Sequence, residues 1–263
     1  MCYSYLPVQG ETGIDYKPRK EIEKLIQEGR ILTSPDGYHY PKKEVGSLVN
    51  LDNQIQVIPM RFDFIYRKYL NGYPDFDLAM VVKKKNSRAI NPETRQKWGY
   101  DSYNARLDTI DVLWSFRDSW AEGKRCVMPV YKFKERPNMD EAPKEHKGRE
   151  YLIDLQGRDD LYMAGIWDKF ERKGQSICSL AILTTESEAS QKMVEIYHDR
   201  FPIILRQSQV EEWLDMRTKP ERAKEMCRLY PEDEFSVIEI LKEPKNEPAT
   251  DGPAMEDPRL PLW

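Results

Sequence analysis

Four strand-like runs crowd the middle of this chain, and they constrain its fold more than any other feature. From Arg125 to Glu135 the residues alternate: Val127, Pro129, Tyr131, Phe133 and Glu135 share one parity, Cys126, Met128, Val130, Lys132 and Lys134 the other. Tyr151 to Leu155, Leu161 to Trp167 and Ile177 to Thr184 follow, with turns signalled by Asp159-Asp160 and Lys173-Gly174. Gln56 to Met60, Leu78 to Val82, Ile203 to Leu205 and Phe235 to Leu241 read as further strands, and Asp36-Gly37 as a hairpin turn between Ile31-Leu32 and Tyr38-Tyr40. Helices are interspersed. One runs from Lys20 to Glu28 and stops at Gly29. A second runs from Leu107 to Glu122, with Ile110, Leu113, Phe116 and Trp120 on one face and Gly123 as its stop. Capping boxes at Thr185/Glu188 and Ser208/Glu211 open two more, the first with Ala189, Met193 and Ile196 as its apolar side, and Pro220 begins another that runs to Tyr230. Strands and helices do not alternate strictly. The expected class is α+β, a mostly antiparallel, curled or barrel-like sheet with surrounding helices.

A chain of 263 residues, 40% hydrophobic and 33% charged, can bury one sizeable core. We expect a single domain over 1–242 with a divergent insert near 14–90. The Pro-rich acidic stretch 243–263 is expected to be a disordered tail. No apolar run reaches the roughly eighteen residues of a membrane span, and Met1 to Gly10 lacks a secretory signal. A cytoplasmic monomer follows as the expectation, nucleoid-associated if the source is a bacterium or phage. The four cysteines, Cys2, Cys126, Cys178 and Cys227, have no paired spacing, so neither a zinc knuckle nor a disulfide scaffold is expected, and no metal or cofactor. The net charge of −4 counts against nucleic-acid binding. Basic residues nevertheless gather at Lys83, Lys84, Lys85, Arg88, Arg95, Lys97, Arg106, Lys124 and Arg125, so a basic face or a solvated charged surface are both open.

Cys2 directly follows the initiator Met. Removal of Met1 would expose an α-amine, with a reference pKa of about 7.7–8.0, beside a thiol of about 8.5. Such a 1,2-aminothiol condenses with an aldehyde, the amine giving an imine and the thiol then closing a thiazolidine ring. Three other polar residues carry candidate chemistry. Asn104 precedes the expected helix at 107 and reads equally as a cap or turn residue. Glu135 ends a strand on the same parity as two aromatics, where a carboxylate is costly without a partner or a task; it also reads as a solvent-facing strand end. His198, one of three histidines with His39 and His146, also fits a helix C-terminus favoured by the macrodipole.

Taken in order, Met1-Cys2, Trp98-Gly99, Asn104-Ala105-Arg106, Arg125-Cys126 through Pro129 to Glu135, Ala164-Gly165-Ile166-Trp167, Ile182-Leu183-Thr184-Thr185 and His198-Asp199-Arg200-Phe201-Pro202-Ile203-Ile204-Leu205 resemble the SRAP family (SOS response-associated peptidase, or abasic site processing protein). The resemblance covers residues 1–5 and 95–215. It implies an abasic-site sensor that crosslinks to single-stranded DNA through Cys2. Asn104 would orient the terminal amine, and Glu135 and His198 would move protons. Arg106, Arg200, Trp98 and Thr185 would contact the strand. An enzyme acting on abasic sites, with a peptidase activity removing Met1, is the corresponding expectation. The same four groups would also suit an N-terminal-nucleophile peptidase or amidohydrolase. The acidic charge and the altered start leave room for a non-catalytic DNA-binding module. This chain departs from the family pattern at Tyr3 and Ser4, where Gly-Arg is usual, and at Arg136, where an aromatic is common.

Overall fold

The computed structural model describes residues 4–7, 17–31, 38, 40–65, 75, 77–86, 102–138, 142–155, 161–186, 191–196, 200–228 and 234–241. Five strands close a barrel: β2 (Glu44–Leu51), β3 (Gln54–Phe62), β5 (Arg125–Glu135), β7 (Leu161–Arg172) and β8 (Gln175–Glu186). Around the ring β2 pairs with β3, β3 with β8, β8 with β7, β7 with β5 and β5 with β2. Only the β3–β8 contact in this ring is parallel. Two tight hairpins build it. Asp52-Asn53 joins β2 to β3 with φ of 52° and 60°, and Lys173-Gly174 joins β7 to β8 with φ of 51° and 74°. Two successive positive φ values match the right-handed twist of paired strands. Short strands extend the ring: β1 (Ser4–Pro7) and β6 (Tyr151–Leu155) on β5, β4 (Asn104–Arg106) and β9 (Arg200–Pro202) on β8, β10 (Ile204–Leu205) on β7, and β11 (Phe235–Glu239) on β6.

Alternation along the strands sorts the buried residues into two clusters. Val45, Val49, Met60, Phe62, Cys126, Met128, Val130, Met163, Leu180 and Ile182 line the interior. Leu48, Val127, Ala164, Ile166, Ala181 and Leu183 face outward. There they meet Leu78 and Val81 of α2 (Leu78–Asn86), Trp120 of α3 (Arg117–Ala121), Trp213 of α5 (Val210–Leu214) and Ala223 of α6 (Pro220–Met226). The remaining helices are α1 (Lys17–Gln27), which packs on β2 and β3, and α4 (Gln191–Glu195). Residues 44–62, within the stretch expected as an insert, thus supply two of the five barrel staves.

Several expectations need correction. Leu78 to Val82 is helix, not strand: the Asp77 carboxylate accepts the Met80 N–H at 2.7 Å and caps α2. The helix expected from Leu107 to Glu122 is confined to Arg117–Ala121, and the chain before it runs from β4 through turns. Of the expected apolar face, Ile110, Phe116 and Trp120 are buried but Leu113 is exposed, and Thr109, Ile110 and Val112 are β-branched and resist a continuous helix. Thr185 and Glu186 do not open a helix; they are the last residues of β8. The expected Ser208/Glu211 box is replaced by a 3-10 turn in which the Gln209 side chain accepts the Arg206 N–H. Tyr38 and Tyr40 are not strand, and Asp36-Gly37 lies outside the described residues.

Candidate active site at one end of the barrel

The strand directions gather the candidate residues at one end. Val130 of β5 faces Leu161 at the start of β7, so β5 leaves the barrel there. Ile182 of β8 faces Gly165, and β8 runs antiparallel to β7, so β8 exits at the same end. Every short strand of interest docks on these exits. β1 opens at Ser4, opposite Lys134. Asn104 of β4 lies opposite Ile182, and Arg200 of β9 lies opposite Glu186.

Glu135 reaches this end by a change of phase. One step of β1, from Leu6 to Pro7, corresponds to two residues of β5, from Lys132 to Val130. Tyr131 is the extra residue of a β-bulge, and beyond it the alternation inverts. Phe133 therefore joins Cys126, Met128 and Val130 in the interior cluster instead of sharing a face with Val127. Glu135, two residues on, is fully buried. This excludes the solvent-facing reading and corrects the simple parity assignment. Phe133, two residues before Glu135 on β5, packs edge-on against Phe201 of β9 at 5.7 Å, and Phe201 against Phe235 at 4.8 Å.

Asn104 is a strand residue and not a helix cap. Its register partner Ile182 points inward, whereas Ala105 and its partner Leu183 belong to the outer layer. The ring of the preceding Tyr103 packs against Phe62 at 5.8 Å, holding β4 on the interior side. Both polar atoms of the Asn104 amide are buried and find no hydrogen-bond partner among the described residues. Leaving a buried amide unsatisfied costs about 1–3 kcal/mol, a cost a fold tolerates where the group serves a ligand or a neighbouring chain segment.

Two arginines flank this end. Arg200 is only 9% exposed. Its Nε donates to Thr184 Oγ1 at 3.0 Å and its Nη2 to the Thr184 carbonyl at 2.9 Å. Arg106 is half exposed and grips Asp108 with two parallel bonds, Nε to Oδ1 at 3.2 Å and Nη2 to Oδ2 at 2.7 Å. Asp108 also lies 3.5 Å from Arg200 Nη2, and Glu186 lies 3.7 Å from Arg106 Nη2. The hydrogen bond from Arg106 holds the Asp108 carboxyl below its ordinary range, against a smaller opposing effect of burial. Asp108 escaped the sequence reading because a helix was expected from 107; instead β4 ends at Arg106 and a turn, closed by the Thr109 N–H on the Arg106 carbonyl at 3.3 Å, brings the Asp108 carboxylate onto the Arg106 guanidinium. Thr185 is half buried at the end of β8. Cys2, Trp98 and His198 lie outside the described residues; the described residues nearest His198 on either side, Ile196 and Arg200, are both buried.

The other cysteines make poor nucleophiles. Burial drives the Cys126 thiol far above its ordinary pKa, raises that of Cys178, and pushes Cys227 up to about 12. No group of three or more metal-ligating side chains occurs among the described residues.

The profile of the SOS response associated peptidase (SRAP) family matches residues 73–246. Among curated proteins, the chain is 29% identical over 156 residues to the abasic site processing protein YoqW of Bacillus subtilis, covering 57% of this chain and 66% of that one. It is 30% identical over 159 residues to the abasic site processing protein YoaM of the same organism, covering 59% and 66%. The chain therefore spans just under two thirds of the length of these relatives. Among solved structures, a protein from Bordetella bronchiseptica superposes with a TM-score of 0.62 at 17% identity, over 92% of this chain and 100% of the other. One from Bacteroides thetaiotaomicron superposes with a TM-score of 0.61 at 17% identity, over 91% and 92%. These likenesses establish the fold.

Proposed function

Because the chain belongs to the SRAP family, we propose that it processes abasic sites in single-stranded DNA, capturing the sugar aldehyde as a thiazolidine on Cys2 once Met1 is removed. Its curated relatives are named for abasic site processing. The observation that carries the reading is the convergence at one barrel end of the first described strand, the buried Glu135 and the partnerless Asn104 amide. Two residues of extended chain reach about 7 Å, so a nucleophile at position 2 works within that radius of Ser4.

The chemistry follows from the groups. An abasic deoxyribose is mostly a closed hemiacetal, and opening it moves a proton from the anomeric hydroxyl to the ring oxygen, work suited to a desolvated carboxyl such as Glu135. The terminal amine adds to the aldehyde carbon and water leaves, giving the imine. The Cys2 sulfur then adds to the imine carbon, its proton goes to nitrogen, and the ring closes with one water lost in total. Asn104 supplies a carbonyl acceptor and an N–H₂ donor to hold the amine, and His198 shares the proton transfers. Arg106 contacts a phosphate, with Trp98, Thr185 and Arg200 supporting the strand. In this reading the peptidase of the family name corresponds to removal of Met1.

The test uses protein whose intact mass proves loss of Met1. Mixed with a single-stranded oligonucleotide carrying one abasic site, it should form a denaturant-stable adduct one water lighter than the sum of its parts. Cys2→Ala should form none. An undiminished adduct from Cys2→Ala would overturn the thiazolidine.

A further inference from the structure

The carboxylate of Asp108 sits between two guanidinium groups at the mouth of the barrel. Both of its oxygens accept from Arg106, at 3.2 and 2.7 Å, in the bidentate fork that guanidinium also forms with phosphate. Its Oδ1 lies 3.5 Å from Nη2 of Arg200. The two partners of Asp108 and the carboxylate itself are held differently. Arg200 is fixed by its two bonds to Thr184. Asp108 instead lies in the turn that follows β4, its side chain 43% exposed. Glu186 adds a second, looser carboxylate 3.7 Å from Arg106.

We infer that Asp108 sets affinity and specificity by occupying the seat between Arg106 and Arg200 that a DNA phosphate takes. A strand must displace it, and the displaced carboxylate stays nearby as a competitor. Exposed ion pairs of this kind contribute little, so displacement is easy, but each binding event exchanges one anion for another instead of adding a new contact. Intact single strands are then held weakly and released, whereas a strand with an abasic site is retained by its covalent bond. The inference rests on the phosphate role assigned to Arg106 above.

The first readout needs no covalent chemistry. In fluorescence anisotropy with a labelled oligo-dT strand at 50 mM salt, Asp108→Asn is expected to tighten Kd about three- to fivefold, the scale of one exposed ion pair. The plot of log Kd against log salt should steepen by about 0.7, one further single-strand phosphate neutralised. Arg106→Gln should abolish the gain in the double variant. Glu171→Gln removes the same charge at the opposite end of the barrel, where Glu171 pairs with Lys169 at 2.6 Å, and should gain less than half as much. An unchanged or weaker Kd in Asp108→Asn overturns the inference. So does a gain that survives Arg106→Gln, or one matched by Glu171→Gln. In a second readout, unlabelled intact strand should block adduct formation on an abasic strand at about a fivefold lower concentration in Asp108→Asn than in the parent. Absence of any adduct in all variants would remove the proposed covalent function and leave the anisotropy result to decide the role of Asp108.

Discussion

Arg125 offers a sharp test of how the barrel is held. In sequence it belongs to a run of basic residues that suits a DNA-facing surface. In the structure it is 1% exposed and turned into the protein. Its Nε donates to the Trp213 carbonyl at 2.7 Å, and its Nη2 to the carbonyls of Asp215 at 2.7 Å and Thr218 at 2.8 Å. These carbonyls lie at and just beyond the C-terminus of α5, where a cation is favoured. The guanidinium also lies 5.7 Å from the centre of the Trp213 ring, whose Nε1 donates to the Cys126 carbonyl at 3.0 Å. One side chain thus ties β5 to α5 and the turn after it. Arg125→Lys keeps the charge but loses the fork, so at least one of three charge-assisted bonds fails and leaves a buried or half-buried carbonyl bare. With about 1.5–3 kcal/mol for a bond to a charged group and about 1–3 for the orphan, the expected loss is about 3 kcal/mol. Arg125→Met strands all three carbonyls, each at about 1–3 kcal/mol, and should lose more than Arg125→Lys. At about 2–4 °C per kcal/mol for a chain of this size, Arg125→Lys lowers Tm by about 6–12 °C. Urea unfolding and thermal melts measure this, and anisotropy below the melt should find DNA affinity intact. A Lys variant within about 1 kcal/mol of the parent, or one that stays folded but loses DNA, refutes the reasoning.

Glu135→Gln should slow adduct formation about 10²–10⁴-fold, the usual contribution of a positioned acid–base group, while Tm holds or rises; gel-resolved single-turnover rates and a melt separate the two effects. Gly165→Ala should destabilise by about 1–3 kcal/mol through overpacking, because a Cβ there would sit 2.9 Å from both the Ala181 carbonyl and Cys126 Sγ; urea unfolding checks it. Hydrogen bonds from Arg217 hold the Asp215 carboxyl down to about 2, and Asp108, Asp111 and Glu212 are lowered by Arg106, Lys224 and Arg222. Folded pKa values below the unfolded carboxylate value of about 3.9–4.3 mean that this stabilisation is complete above that range and is lost as pH falls toward 2. The urea midpoint should therefore decline between pH 4 and 2, and Arg217→Ala should flatten the decline. Cys126 and Cys227 should resist iodoacetamide in the native protein at pH 7.5 and react once it is unfolded, as peptide mass mapping would show.

The central strands were legible because their signal is local. β5 has its expected ends, and β7 and β8 contain their expected cores around the Lys173-Gly174 turn. The parallel contact of β3 with β8 and the closure of β2 onto β5 are long-range, and no periodicity encodes them. Leu78 to Val82 is a short apolar run that fits a buried strand or a helix equally; Asp77 was the signal that decided for helix. Asn104 was identified by its family block, but its setting was misjudged. A three-residue strand is too short to show alternation, and the apolar spacing from Ile110 to Trp120 drew the helix reading back over the turns. Two members of the basic run, Lys124 and Arg125, do not serve a basic face, for a related reason. Side-chain direction depends on tertiary context: Lys124 turns to the buried Asp168 at 2.5 Å and Arg125 to the end of α5, so neither belongs to a DNA-facing surface.

The bulge at Tyr131 links these observations. A strand of regular phase would carry Glu135 on the face of Val127, among the outer residues that meet the helices, and no acid would stand inside the barrel mouth. One extra residue inverts the phase after the interior is packed with Cys126, Met128 and Val130, so that the strand finishes with Phe133 and Glu135 turned inward. The same irregularity lies where β1 pairs with β5, at Leu6 and Pro7, so the segment that carries the chain start is registered against the element that aims the carboxylate. The position of Ser4 and the orientation of Glu135 are consequently fixed by a single ladder. A change that slips β1 by one residue would move the chain start by about 3.4 Å while leaving β5 held by β6 and β7. Chemistry that needs both groups at one carbon is therefore more sensitive to the β1–β5 register than the stability of the barrel is.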